Sequence, residues 1–134
     1  MAKIISGKDL SVKLKAEMAE QVKTFPEKYG RVPHLVVILV GEDPASQSYV
    51  KGKAKASEVV GIKNTTILKP ADISEAELLG LIDQLNADDT VDGILVQLPL
   101  PDHISEDKVI AAISKDKDVD GFHPINVGRM AIGL

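Results

Sequence analysis

The chain contains no cysteine and no tryptophan, and its aromatics are two tyrosines and two phenylalanines. Without thiols there is no disulfide framework, thiolate nucleophile or cysteine-based zinc site, which fits a reducing compartment. So few aromatics leave little for stacking nucleic-acid bases. A formal net charge of −4 also argues against nucleic acid as a partner, since phosphate neutralisation needs a basic surface. No apolar run approaches the roughly 18 residues of a membrane span. The N-terminal "MAKIISGKDL" lacks the long apolar stretch of a secretion signal. A soluble, cytoplasmic protein with no membrane partner is expected. Neither GxGxxG nor GxxxxGK[ST] occurs, so the usual dinucleotide and nucleoside triphosphate signatures are missing. His34, His103 and His123 have no metal-ligand spacing, and no metal is expected.

What is present, in 134 residues with 44% hydrophobic and 27% charged content, suffices for one domain with a core. Leu10, Leu14, Met18, Val22 and Phe25 recur at helical spacing and predict a helix over 7–25, with Ser6 and Asp9 as its capping pair. "LVVILVG", 35–41, reads as a strand buried on both faces. Asp43 and Pro44 then open a helix that Gly61 ends. A β-branched strand is expected over 62–68. Ser74 and Glu77 form a capping box ahead of Leu78, Leu81, Ile82 and Leu85. A third strand over 91–96 is stopped by Pro99 and Pro101, and Ser105 opens a last helix. This alternation predicts an α/β fold, a three-layer sandwich with a mostly parallel sheet flanked by helices. Ligands of such sheets bind at the carboxyl ends of the strands. That rule selects the loops "VGEDPAS" and "QLPLP", together with "DKDVDGFHP", where a further strand end is expected to converge.

Wound at about 100° per residue, the second helix places Ala45, Ala56, Tyr49, Val60 and Lys53 within roughly 80° of one another. Lys53 thus sits on the expected apolar stripe, whereas Lys51 and Lys55 face solvent. A lysine at such an edge commonly snorkels. Tyr49, one turn earlier, instead pairs a phenol with an amine on the same face, and burial there would make Lys53 a usable proton acceptor. Gly52 removes bulk beside them. Gln97, ending an apolar strand, either satisfies a loop backbone or orients a neutral lysine. "DKDVDG" opens like a calcium loop, but its twelfth position is Val127 where the bidentate glutamate belongs. It reads as a solvated turn, with Asp120 beside Gly121 the acid best placed to point inward.

"VGEDPASQSYVKGKAKASEVVGI", "DGILVQLPLP" and "KDVDGFHPINVGR" together resemble the bifunctional methylenetetrahydrofolate dehydrogenase/methenyltetrahydrofolate cyclohydrolase family, over essentially the whole chain. The resemblance implies a folate-binding domain with a tetrahydrofolate derivative as substrate. It makes Lys53 the general acid/base and Gln97 the residue that orients it. Tyr49 would stack near the pterin and aminobenzoate, and Asp120 would hydrogen-bond the pterin. The walls would be formed by Tyr49, Val50, Lys51, Gly52 and Lys53 on one side and by Val96, Gln97 and Leu98 on the other. Chains of that family continue about as long again, into an NADP-binding Rossmann domain and a C-terminal segment that returns to this one. Hydride transfer and the family's homodimer contacts are therefore expected outside residues 1–134. The family's place is one-carbon metabolism, with purine, histidine and methionine biosynthesis downstream.

Overall fold

A computed structural model describes residues 1–134. Its elements are α1 (Gly7–Val22), α2 (Phe25–Tyr29), β1 (His34–Val40), α3 (Pro44–Val60), β2 (Lys63–Lys69), α4 (Glu75–Ala87), β3 (Gly93–Val96), α5 (Glu106–Ala112) and α6 (Pro124–Ala131). The three strands are all parallel, in the order β2-β1-β3. His34 to Val40 pair with Lys63 to Lys69, and Leu35 to Ile38 with Gly93 to Val96.

β1 is apolar on both faces because it lies between two layers. Val36, Ile38 and Val40 meet Leu78 and Ile82 of α4 and Val109 of α5 on one face; Val37 and Leu39 meet Val50 of α3 on the other. α1 packs on α3 outside the sheet. The result is the expected three-layer arrangement. Leaving β1, the chain turns first to β2 and later crosses to β3, so the crevice between β1 and β3 is the topological switch point.

Four expectations need correction. The first helix stops at Val22, because residues 23 and 24 turn the chain into the separate helix α2, which ends at the left-handed Gly30. Its stripe is not core: Leu10 is 53% exposed and Leu14 and Met18 are 43% exposed, and Val22 alone is buried. The β2 strand runs one residue later than expected, over 63–69, and β3 begins at Gly93. Val91 is buried ahead of β3, in a turn stabilised by Asp88. Finally, the buried face of α3 is centred on Ser46, Val50, Ser57 and Val60, so Tyr49 and Ala45 flank it. Lys53 lies closer to the middle of that face than to its edge.

The capping box at α4 is complete. Glu77 N donates to Ser74 Oγ at 3.1 Å and Ser74 N to Glu77 Oε2 at 3.1 Å. Ser74→Ala is expected to cost about 1 kcal/mol, read as a lower urea midpoint at unchanged m-value.

At the amino end of the sheet, the Asp92 carboxylate takes both Arg31 terminal nitrogens and the His34 backbone N–H, the last at 2.8 Å. His34 is buried, with Nδ1 at 3.0 Å from Thr90 O and Nε2 at 2.8 Å from Thr65 Oγ1. The Arg31 guanidinium holds the Asp92 carboxyl below the ordinary aspartate range, against a smaller desolvation effect. A carboxylate depressed on folding contributes stability above its unfolded value, near 4, and loses that contribution as pH falls through the folded value. The acid limb of the stability–pH curve should therefore flatten in Asp92→Asn, as measured by urea midpoints between about pH 5 and pH 2.5.

Candidate active site

Three chain segments meet at the carboxyl end of the switch-point crevice. α3 supplies Lys53. Its entry is set by Asp43, whose carboxylate accepts the Ser46 N–H at 2.7 Å, and by Pro44 in the first turn. β3 supplies Gln97, whose backbone N–H continues the ladder by donating to Ile38 O at 2.9 Å. The turn after α5 supplies Asp120 and Phe122.

The side-chain amide of Gln97 has its orientation fixed from behind. Nε2 donates to Leu98 O at 2.9 Å, which leaves Oε1 facing Lys53. Lys53 Nζ donates to that oxygen at 3.0 Å. The same Nζ lies 5.7 Å from the centroid of the Tyr49 ring, so the phenol and the amine do share a face. Lys53 is half-buried, whereas Tyr49 is 65% exposed at the rim. Behind Lys53, the buried Ser57 donates its hydroxyl to Lys53 O at 2.9 Å.

A hollow of about 290 Å³ is lined by Tyr49, Lys53, Gln97, Leu98, Asp120 and Phe122. Val96 lines it too, but Val50, Lys51 and Gly52 do not. Val50 and Lys51 face a larger hollow of about 510 Å³ across α3, beside Leu68 and Lys69 of β2, where the amide of Gln47 donates to Glu42 O at 3.3 Å and not toward a lysine. A Cβ placed on Gly52 would meet no atom within 4 Å, so neither a strand nor a loop uses the space it leaves.

The "DKDVDG" turn brings Asp120, the acid expected to point inward, to the hollow, and is itself organised by Asp118. Asp118 turns inward: Oδ1 accepts from Gly121 N at 3.1 Å, and Oδ2 from His123 N and Asn126 Nδ2, both at 2.9 Å. Asp118 also pairs in parallel with Ile94, so the anticipated further strand end does converge, as a single bridge beside β3. Burial works against the Asp118 charge, but Asn126 and the backbone donors of His123, Phe122 and Gly121 together hold its carboxyl below the ordinary range. Asp120 is solvent-exposed as a residue, yet its carboxyl stands over the cleft. Lost hydration there, with the Asp118 charge, outweighs the Lys53 ammonium and pushes the Asp120 carboxyl up. The sequence did hold a signal for Asp118, namely an aspartate three residues before a glycine, the spacing of a side-chain-capped turn. Phe122 carried none.

Helix N-termini, the usual seats of a dinucleotide pyrophosphate, are capped by side chains of the chain itself everywhere but at the five-residue α2: α1 by Ser6, α3 by Asp43, α4 by Ser74, α5 by Ser105 and α6 by His123. At α3 that cap is already an anion. A dinucleotide does not fit these residues. No three His, Asp or Glu side chains gather at metal-binding distance.

Residues 5–120 match the family model described as "Tetrahydrofolate dehydrogenase/cyclohydrolase, catalytic domain". The "Bifunctional protein FolD" of Oceanobacillus iheyensis is 59% identical over 133 residues, 99% of this chain and 46% of that protein. The 5,10-methylenetetrahydrofolate dehydrogenase of the silkworm, Bombyx mori, superposes with a TM-score of 0.97 at 46% identity, covering 100% of this chain and 46% of that one. The Trypanosoma brucei N5,N10-methylenetetrahydrofolate dehydrogenase-cyclohydrolase, solved with NADP cofactor and inhibitor, does so at 0.92 and 34% identity, covering 98% and 44%. This chain thus spans about half the length of the curated relatives it matches.

Proposed function

Since the chain belongs to the tetrahydrofolate dehydrogenase/cyclohydrolase family, by its catalytic domain, we propose that it binds tetrahydrofolate derivatives and carries the acid/base groups that hydrolyse 5,10-methenyltetrahydrofolate to 10-formyltetrahydrofolate. The observation that carries this reading is the 3.0 Å contact between Lys53 Nζ and a Gln97 amide whose other end is fixed, at the switch point of the sheet.

In this reading the bridging carbon of the substrate lies near Lys53. The amine takes a proton from the water that attacks that carbon, then delivers one to N5 as the C–N5 bond breaks. The overall step consumes one water and one cationic methenyl bridge, and it yields the formyl group, a free N5–H and one proton. Gln97 Oε1 holds the amine on the attacking side. Tyr49 covers the aromatic body of the folate, and the Asp120 carboxylate accepts from the pterin N–H groups.

In a family member of the relatives' full length, NADP-dependent oxidation of 5,10-methylenetetrahydrofolate would share this cleft. NADP, which supplies hydride chemistry when bound, finds no seat for its pyrophosphate at the side-chain-capped helix N-termini of residues 1–134, and no hydride step is assigned to them. A cytoplasmic homodimer serving purine, histidine and methionine synthesis belongs to the same proposal. A second reading, folate binding without turnover, is favoured by the open cleft, in which Tyr49 is 65% and Phe122 52% exposed. The deciding experiment follows the absorbance of 5,10-methenyltetrahydrofolate with this chain, with Lys53→Met and with buffer. Catalysed loss supports hydrolysis, binding at the buffer rate of loss supports the second reading, and absence of binding removes both.

A further inference from the structure

The Asp118 carboxylate is the hub of the turn that forms the outer wall of the cleft. Its three acceptor contacts reach Gly121, between Asp120 and Phe122, and His123 and Asn126 beyond them. Asn126 Nδ2 is itself shared with Lys115 O at 2.8 Å, which ties the base of α6 to the segment entering the turn. That segment is in turn bound to the sheet. Ile94 N donates to Lys117 O at 2.8 Å, and Asp118 bridges Ile94 of β3, three residues before Gln97. Gly93 makes the close approach possible: a Cβ there would come within 2.5 Å of Val119 Cγ1. Gly121 turns the chain with φ of 71°, a left-handed conformation that favours glycine and aims Asp120 back across the crevice.

We infer that Asp118 is a positioning residue of this site: through the amides of Gly121 and His123 and the side chain of Asn126, it holds Asp120 and Phe122 opposite the Lys53–Gln97 pair. Its hydrogen bonds go to the backbone of the turn and to Asn126, so it acts through the turn and its charge. The groups facing Asp120 are Lys53 of α3, Gln97 at the end of β3 and Asp118 of the turn itself. Of these, Asp118 alone repels the Asp120 charge.

Two measurements test the inference. The first titrates the aspartate carboxyls of the chain by carbon-13 NMR in wild type and Asp118→Asn, without ligand. The asparagine keeps an acceptor oxygen but no charge, so the Asp120 midpoint should move to lower pH. An Asp118 that neither sets the place of the Asp120 carboxyl nor lies close enough to act on its charge would leave that midpoint where it was, and an unmoved midpoint overturns the inference. The second is a fluorescence titration with tetrahydrofolate. Asp118→Ala, if folded, should bind about tenfold more weakly or worse, since it removes charge-assisted hydrogen bonds to two amides and Asn126. Wild-type affinity in a folded Asp118→Ala overturns the inference. The affinity measurement rests on the folate reading and the NMR measurement does not. A wild-type chain that fails to bind tetrahydrofolate would thus remove that reading while the carboxyl titration still decides the role of Asp118.

Discussion

Lys53→Met should bring the loss of methenyltetrahydrofolate absorbance down to the buffer rate, a fall of about 10²- to 10⁴-fold in the catalysed term, the range associated with one positioned acid/base group. Methionine keeps an unbranched chain of similar reach and an apolar stem, so the half-buried position in α3 stays filled and the helix keeps its packing on β1. What disappears is the only amine that meets Gln97 Oε1. The change should fall on kcat far more than on substrate affinity, because the contacts proposed for Tyr49 and Asp120 with the folate are left in place. The measurement is a paired one, with initial rates at saturating substrate and equilibrium binding on the same preparations. A variant that hydrolyses within about twofold of wild type would show that another group moves the proton, and the assignment of Lys53 would be withdrawn. Gln97→Leu offers a graded companion to this experiment. The amine stays but loses the oxygen that aims it, so its rate should lie between wild type and Lys53→Met.

Much of this arrangement is legible in the amino-acid sequence, for identifiable reasons. The capping box at Ser74, the Asp43–Pro44 start and the Gly61 stop are local rules, satisfied within a few residues, and each appears where the pattern put it. The double-sided burial of β1 is a one-strand property, readable from an unbroken apolar run. The first helix misled because periodicity shows which side chains share a face, not whether a partner covers that face. Leu10, Leu14 and Met18 keep helical spacing and remain exposed. On α3 the small buried residues Ser46 and Ser57 carry no hydropathy signal, so a reading based on apolar residues rotated the buried face toward Ala45 and Ala56. The pairing of Lys53 with Gln97 links residues 44 positions apart, and only the strand order brings them together. α2 and α6 escaped for a different reason. They are only five and eight residues long, with Pro in the first turn of each as the main clue.

The same separation between local chemistry and three-dimensional cover gives the largest stability effect expected of a single substitution. Leu78 of α4 is fully buried against β1 and α5, at 0% exposure, whereas Leu68 of β2 is 70% exposed. Both are leucines, and alanine in place of either removes the same atoms. At Leu78 those atoms leave a cavity inside a 13-residue cluster, which costs about 2–5 kcal/mol. At Leu68 they leave water, and the change should stay within about 0.5 kcal/mol. Against a total stability of about 5–15 kcal/mol for a domain, the first figure is a large fraction. The cluster includes Ile94, Val96 and Leu100, the buried neighbours of Gln97 along the chain. Yet it occupies the face of the sheet opposite α3 and Lys53, so the cost should fall on global unfolding rather than on the geometry of the cleft. The check is a pair of urea titrations with common m-values, alongside the rate per folded molecule at low temperature. Leu78→Ala should lose a large fraction of its midpoint and keep its rate within about twofold, and Leu68→Ala should keep both. Equal losses from the two leucines would mean that the free face of β2 is covered as tightly as the core, which would contradict the exposure on which the three-layer description rests.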